Sequence, residues 1–183
     1  RGGAALAVRV ALAGAMLLLI GFVLLQALRG GWLSLELVLP FHLCDLALLL
    51  SVYALATLSR AVAEVLWFWA GTGTILPMLT PNVGHGFPHP DFLVFFGLHG
   101  LVVMSAIVLV FGFSLRPRAG APRRVFLLTA AYAAAVGAVN AVLGTNFLFL
   151  CRKPSNPTLL DALGPWPVYI GVAAGLALAL FSL

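Results

Sequence analysis

Apolar residues occur along this chain in long runs that are separated by short segments rich in glycine, proline and charged residues. Six runs of about 18 to 25 residues are each long enough to cross a hydrocarbon layer of about 30 Å as a helix. They predict helices at about residues 5–28, 35–58, 61–79, 91–113, 125–148 and 165–183. The pattern therefore predicts an all-α fold, a polytopic transmembrane bundle of six helices that forms a single domain over residues 1–183.

Basic residues are confined to helix ends and short loops, and their distribution predicts the orientation of the bundle. With six spans, one side carries Arg1, Arg60, Arg116, Arg118, Arg123 and Arg124, and the other carries Arg29, Arg152 and Lys153. The positive-inside rule places the larger group in the cytoplasm. The loops 81–90 and 151–157 are then expected to face outward.

Composition agrees with a membrane protein and excludes several other classes. Hydrophobic residues make up 63% and charged residues 8% of the chain, whereas about a quarter of the residues of a soluble domain are charged. The net charge of +5 does not predict a nucleic-acid partner, because the basic residues do not line one face. Cys44 and Cys151 do not form a disulfide framework or a CxxC pair, and no cofactor is predicted.

The second predicted helix contains the motif LPFHLCD, which places His42, Cys44 and Asp45 in an apolar run. Ionisable groups at membrane depth are costly, so they indicate a functional site by default. Pro40 is expected to bend this helix and to free a backbone carbonyl beside His42.

Depth along the helices indicates which polar residues meet. The second and fourth helices both enter from the predicted outer side, and His42 and His99 each lie about eight residues in, roughly 12 Å deep. The fifth helix ends on that side, which brings Asn140 to a similar depth and Asn146 nearer the surface. Arg152 and Lys153 follow above them. The polar residues are therefore expected to converge on the outer half of the bundle.

The residue types at this level suit covalent acyl transfer. His42 and Asp45 are three positions apart and share a helix face, so Asp45 could fix the imidazole tautomer. Cys44 lies about 200° around the helix from His42, which makes His99 the better partner for its thiol. A thiol activated by a histidine and oriented by Asp45 or Asn146 follows the logic of acyl transfer.

The remaining polar residues are assigned to catalysis or to substrate binding. Asn146 could supply an oxyanion donor, and Asn140 is included among the substrate-binding candidates. Arg152 and Lys153 suit an anionic lipid headgroup or phosphate, although a snorkelling pair at the interface is the alternative.

Other interpretations of the polar cluster stay open. Its side chains could form an interhelical hydrogen-bond network, and Cys44 could be a small buried apolar residue. A metal site made of His42, Cys44, Asp45 and His99 has suitable ligand types but no diagnostic spacing, so no metal is predicted.

Four further polar residues receive ordinary structural assignments. His85 and His89 are interpreted as loop residues, and Glu64 and Asp161 as interfacial charges.

Four motifs follow one another along the chain: LPFHLCD, FFGLHG, LGTNFLFLCRKP and LGPWPVY. Together they resemble the YwaF-like bacterial integral membrane proteins, which are relatives of eukaryotic transmembrane protein 164, over nearly everything from about Trp32 onward. The resemblance implies a multi-pass protein of the bacterial inner membrane. It also implies a seven-helix family whose N-terminal helix is missing here, and a chain that begins with Arg1 agrees with a piece of a longer protein.

The resemblance also implies a substrate class. The eukaryotic relative is associated with acyl transfer onto ether phospholipids through a cysteine, and His42 and His99 carry over to this chain. The usual bacterial motif has Leu where this chain has Phe41. The relative's cysteine corresponds to Cys44 or to the position of Phe41, and in the second case the nucleophile is missing.

Two hypotheses follow. The first is a membrane enzyme that acts on lipid acyl chains from the outer-leaflet side, with Cys44 as nucleophile, His99 as base, and His42 with Asp45 as a positioning pair. The second is a non-enzymatic subunit of a larger membrane complex, whose polar cluster is structural or binds a lipid or cofactor. The first needs a cavity lined by His99 and Cys44 or His42, and the second needs a closed, fully hydrogen-bonded cluster.

Overall fold

Helices joined by short loops make up most of the computed structural model, which describes residues 2–182. Arg1, which the topology prediction assigns to the cytoplasm, lies outside the described residues. The α-helices are α1 (Gly2–Gly30), α2 (Leu35–Val38), α3 (Leu43–Thr57), α4 (Arg60–Trp69), α5 (Ile75–Leu79), α6 (Pro90–Ile107), α7 (Ala121–Leu143) and α8 (Val168–Phe181). Two π-helical segments, Ala70–Thr74 and Val108–Gly112, join α4 to α5 and extend α6, and 3-10 turns lie at Phe147–Phe149 and Leu159–Leu163. The all-α prediction is confirmed, since residues 2–182 contain no strand.

Five helical segments are long and apolar enough to cross a membrane. They are Gly2–Gly30, Leu35–Thr57, Arg60–Leu79, Pro90–Gly112 and Ala121–Leu143. The apolar helix α8 has 14 residues, about 21 Å at 1.5 Å per residue. Large apolar side chains such as Leu18 and Val142 point outward, as they do where lipid replaces water. The chain is an integral, multi-pass membrane protein.

The second span is interrupted at Pro40, where one continuous helix over 35–58 was predicted. Helix α2 ends at Val38 and α3 begins at Leu43. Pro40 has no backbone N–H to donate, so a helix cannot continue through it without losing a hydrogen bond. The break frees the Phe41 carbonyl, which accepts a hydrogen bond from the Tyr132 hydroxyl at 2.9 Å.

The fifth span ends earlier than the predicted residue 148. Gly144 has φ +66°, in the left-handed region, and its N–H donates to the Asn140 carbonyl at 2.9 Å. This is the usual glycine stop of a helix. Thr145 and Asn146 therefore lie in a loop and not on a helix face.

Helix α3 lies at the centre of the packing, in contact with α1, α4 and α6, while α7 contacts α4 and α8. The buried core draws side chains from α1, α3, α4, α6, α7 and α8, among them Met16, Leu55, Leu66, Val102, Val125 and Phe181. This arrangement places the start of α3 beside α6 and the π segment Ala70–Thr74, which also contact each other.

At the end of the bundle that is predicted to face the cytoplasm, a buried carboxylate joins α4 to the segment that contains Arg118 and Arg124. Glu64 is 2% exposed. Its oxygens accept hydrogen bonds from the Arg118 backbone N at 2.8 Å and Nε at 3.0 Å, and from Arg124 Nη2 at 3.0 Å. The Arg118 guanidinium gains a raised pKa from its hydrogen bond to Glu64. Glu64 is therefore a buried partner of two arginines, and its assignment as an interfacial charge stays a prediction.

Glu64→Gln is expected to lower the free energy of unfolding by about 2 kcal/mol, because charge-assisted hydrogen bonds are lost on a buried side chain. In a chain of this length that corresponds to a fall in Tm of about 4 to 8 °C. Thermal unfolding in detergent measures it. Arg123→Gln is the matched control, since Arg123 is an exposed charge at the same end and should change stability by less than about 0.5 kcal/mol. Equal shifts for the two variants would contradict a structural role for the Glu64 ion pairs.

Candidate functional site

A cavity of about 210 Å³ lies between α3, the π segment Ala70–Thr74 and α6, and it is called the site cavity below. Its lining consists of Cys44, Asp45, Leu48, Thr74, Phe95, Leu98, His99 and Val102. The cavity thus brings together three of the residues predicted from the sequence, Cys44, Asp45 and His99. Apart from these and Thr74, the lining side chains are apolar.

Cys44 and Asp45 lie in the first turn of α3, which starts at Leu43 because of the break at Pro40. The Cys44 Sγ is 3.8 Å from Asp45 Oδ1, so the thiol donates to the carboxylate. Within residues 2–182 no hydrogen bond joins Asp45 to His42, and the predicted His42–Asp45 pair is corrected: Asp45 is the partner of Cys44.

His99 reaches the cavity from α6 in a defined tautomer. Its Nδ1 is 2.7 Å from the Phe95 carbonyl oxygen, and its ring lies 4.1 Å from the Phe95 ring. A carbonyl only accepts, so Nδ1 carries the proton. In the neutral ring Nε2 then has a free lone pair and can take a proton from another group. His99 lies about 13 Å along α6 from its first residue at 1.5 Å per residue.

Thr74 lines the same cavity and was missed in the sequence analysis. It is 1% exposed, and its hydroxyl has no hydrogen-bond partner in the described part of the chain. Thr72, two residues earlier, instead donates to the Phe68 carbonyl at 2.8 Å in the ordinary way for a helical threonine. A buried hydroxyl without a partner is costly, and π-helical segments are frequent at functional sites. The run AGTGT at 70–74 is polar within an apolar helix, and this pattern could have indicated Thr74 from the sequence.

His42 does not line the site cavity. It lies directly before α3, and its Nδ1 accepts a hydrogen bond from the Leu148 N–H at 3.3 Å. Its ring packs against those of Phe147 and Phe149. Leu148 and Phe149 have φ of +58° and +53°, so His42 holds a turn of left-handed residues against the start of α3.

Asn140 is committed to the loop that follows α7. Its Nδ2 donates to the Phe147 carbonyl at 2.9 Å, and its Oδ1 accepts from the Thr145 hydroxyl and the Phe147 N–H, each at 2.9 Å. Asn140 is 2% exposed. Its amide already has three partners in the loop and it does not line the site cavity, so substrate binding stays a prediction for Asn140.

Asn146 is occupied in the same way. Its Oδ1 accepts from the backbone N–H groups of Cys151 and Arg152 at 3.0 and 3.1 Å, and its Nδ2 donates to the Arg152 carbonyl at 2.9 Å. Its own N–H donates to Glu36 Oε1 at 2.7 Å. The predicted oxyanion donor therefore holds a loop together and does not line the site cavity.

Lys153 and Arg152 differ in their surroundings. The Lys153 ammonium is 3.5 Å from Asp161 Oδ1 and 5.6 Å from the centre of the Tyr169 ring, whereas Arg152 is exposed. Asp161 also accepts a hydrogen bond from the Thr158 N–H at 2.8 Å, which lowers the pKa of the Asp161 carboxyl, with a further contribution from Lys153. Asp161 therefore closes a loop, and its assignment as an interfacial charge stays a prediction. Headgroup binding stays a prediction for Arg152 and Lys153.

A larger cavity of about 680 Å³ lies between the end of α1 and the start of α6 and is called the outer groove. Its lining includes Phe22, Gln26, Arg29, Trp32, Asp91 and Phe95. Phe95 lines both the outer groove and the site cavity. The two cavities are thus neighbours that share one aromatic side chain.

One family of known proteins matches nearly the whole chain, including the helices that form the site cavity. The profile of the TMEM164 family matches residues 3–183. The chain belongs to the TMEM164 family. No curated protein and no solved structure was found to match it. The predicted relation to transmembrane protein 164 is confirmed, and α3, the π segment and α6, which form the site cavity, all fall within the matched residues. Assignment to a YwaF-like bacterial branch stays a prediction.

Proposed function

We propose that this TMEM164-family protein is a lipid acyltransferase or acyl hydrolase whose chemistry takes place in the site cavity. One observation carries the proposal: a thiol, an imidazole with a free Nε2 and an unpaired hydroxyl line the same cavity, supplied by Cys44, His99 and Thr74. These groups correspond to a nucleophile, a base and a donor for a developing oxyanion.

The first half of the reaction forms a thioester. His99 Nε2 takes the Cys44 proton while the sulfur attacks the carbonyl carbon of a lipid ester. The carbonyl oxygen becomes negative and accepts a hydrogen bond from the Thr74 hydroxyl. The carbon–oxygen bond to the glycerol then breaks, and the leaving oxygen takes the proton from His99. The Cys44 S–H donates to Asp45 in the structure, so it must turn from Asp45 to His99 before this step.

The second half returns the cysteine. An acceptor hydroxyl gives its proton to His99 and attacks the thioester carbonyl, and the Cys44 sulfur leaves and recovers the proton. A lipid hydroxyl as acceptor gives acyl transfer, and water gives hydrolysis. No metal or cofactor takes part in these steps.

The outer groove is the proposed route for the lipid. The apolar side chains in its lining suit an acyl chain, and Arg29 at the end of α1 suits an anionic headgroup. Phe95 lies between the groove and the site cavity, so its ring must move aside for a chain to reach Cys44. We expect this route to open to the outer leaflet of a bacterial inner membrane, with membrane lipids as the partners.

A non-enzymatic subunit of a membrane complex is the alternative, and it requires a closed, fully hydrogen-bonded polar cluster. The loop around Asn140 and Asn146 has that character. The site cavity does not, because the Thr74 hydroxyl is unpaired there. The contrast between loop and cavity supports the enzyme hypothesis.

Covalent labelling with a thiol-reactive acyl probe tests the proposal. In purified protein in lipid, Cys44 is expected to be acylated, and His99→Ala should slow this labelling by about 100-fold, the usual contribution of a general base. Mass spectrometry of the labelled peptides measures both rates. Cys151, an exposed thiol in a loop, is an internal control whose labelling His99→Ala should not change. A folded protein whose Cys44 is not labelled, or is labelled independently of His99, would favour the subunit hypothesis.

A further inference from the structure

A second group of chemically active side chains lies outside the site cavity, in the segment between α5 and α6. His85, His89 and Asp91 each offer one ligand atom, and these atoms lie within 4.8 Å of one another. The Nδ1 atoms of His85 and His89 are 3.0 and 3.3 Å from the same oxygen, Asp91 Oδ2. This is more than the ordinary loop that the sequence analysis assigned to the two histidines.

The contact of His89 with Asp91 indicates a missing positive charge. The Asp91 backbone N–H donates to His89 Nδ1 at 3.2 Å, which caps the start of α6. The single in-plane lone pair of that nitrogen is then used by this hydrogen bond, and a metal ion at Nδ1 would take the place of the Asp91 N–H. The nitrogen also lies 3.3 Å from a carboxylate oxygen, which is another acceptor. Two acceptors at this distance repel each other unless a proton or a metal ion lies between them.

We propose that His85, His89 and Asp91 bind one divalent transition-metal ion, with Zn²⁺ as the best match. Two imidazoles and a carboxylate are ligands that zinc takes, and water can occupy the fourth position. With metal–ligand bonds of about 2.0 to 2.1 Å, neighbouring ligand atoms of a tetrahedral site are about 3.3 Å apart. The two distances to Asp91 Oδ2 are close to this value.

The local chain favours such a site. Pro88 and Pro90 flank His89 and restrict its backbone, and Asp91 lies in the first turn of α6. The two imidazole rings are stacked with centroids 3.9 Å apart, and they must tilt for both lone pairs to reach one ion. Both side chains are largely exposed, at 60% and 42%, so this movement meets little resistance.

The proposed metal site lies beside the outer groove, so a bound ion would affect the structure there. Gly84 and Asp91 also line the outer groove. An ion held by His85, His89 and Asp91 therefore fixes the loop that borders the groove opening. None of its three ligands lines the site cavity, so the ion takes no direct part in the proposed acyl chemistry.

Isothermal titration of the tag-free, chelator-treated chain in detergent with ZnCl₂ tests this proposal. One ion per chain is expected, and His85→Ala and His89→Ala should each weaken binding by at least about tenfold, because even the loss of an outer-shell partner costs 10- to 100-fold. Both residues lie on an exposed loop, so the variants should fold like wild type by circular dichroism.

His99→Ala distinguishes this site from zinc binding in the site cavity, where Cys44, Asp45 and His99 are suitable ligands. Zinc affinity should be unchanged in His99→Ala if the ion binds on the loop. A loss of binding in His99→Ala with retention in His85→Ala would overturn the proposal. So would the absence of binding to wild type at concentrations up to about 100 μM, an affinity of roughly −5.5 kcal/mol.

Discussion

Cys44→Ala is expected to reduce acyl transfer from phospholipid to below about one-thousandth of the wild-type rate, the scale on which loss of a nucleophile acts. Cys44 is the only thiol that lines the site cavity within the described part of the chain. The other hydroxyl or thiol group there is that of Thr74, and an unactivated hydroxyl is a weak nucleophile. The rate is measured in lipid vesicles that contain the protein. Mass spectrometry detects the released lysophospholipid and the transferred acyl chain.

Cys151→Ala is the matched control for this experiment. Cys151 is exposed in the loop after Phe147–Phe149 and does not line either cavity, so its replacement should leave the rate unchanged. Wild-type turnover in Cys44→Ala would mean that water or a hydroxyl attacks the lipid directly. The role of Cys44 in thioester formation would then be wrong, while a role for His99 as base could survive.

The depth of the site along the helices was predictable from the sequence, but the direction in which each side chain points was not. A rise of 1.5 Å per residue places Cys44 and His99 at similar depth once their helices enter from the same side. Which way each side chain points depends on where the helix begins. Because Pro40 interrupts the second span, α3 starts at Leu43, and Cys44 and Asp45 turn to the cavity while His42 turns to the loop.

The polar residues that stand out most in the sequence are largely structural. Asn140 and Asn146 appear in an apolar context, which led to the assignment of Asn140 to substrate binding and of Asn146 to catalysis. Their amides instead satisfy the backbone of an irregular loop, as is required wherever non-helical backbone is buried in a membrane protein. The helix stop at Gly144 would have indicated this, since it places Asn146 beyond the helix end.

Thr74 could not be identified from the sequence because threonine is common in helices, where its hydroxyl usually bonds to a carbonyl of the preceding turn. Thr72 does so, with the carbonyl of Phe68, and Thr74 does not. Both threonines lie in the π-helical turn at Ala70–Thr74, where the backbone departs from the regular α-helical register. Only the folded arrangement separates the two threonines.

Thr74→Val should therefore have opposite effects on activity and stability. Removal of one oxyanion donor lowers turnover by about 100- to 1000-fold in enzymes that rely on it. Valine has nearly the shape of threonine and has no hydroxyl to bury unpaired. The variant should consequently be as stable as wild type or more stable, by up to about 1 kcal/mol. Turnover of phospholipid and thermal unfolding in detergent measure the two effects.

Thr72→Val is the matched control in the same π segment. It removes a hydroxyl that is hydrogen-bonded to Phe68 and does not line the site cavity, so turnover should remain near wild type and stability should fall by about 1 kcal/mol or less. Wild-type turnover in Thr74→Val would exclude the hydroxyl as an oxyanion donor. A loss of stability in Thr74→Val would mean that the hydroxyl has a partner within the protein. If the Thr74 hydroxyl is kept without a protein partner so that it can bind the substrate, Thr74→Val should lose turnover and keep its stability.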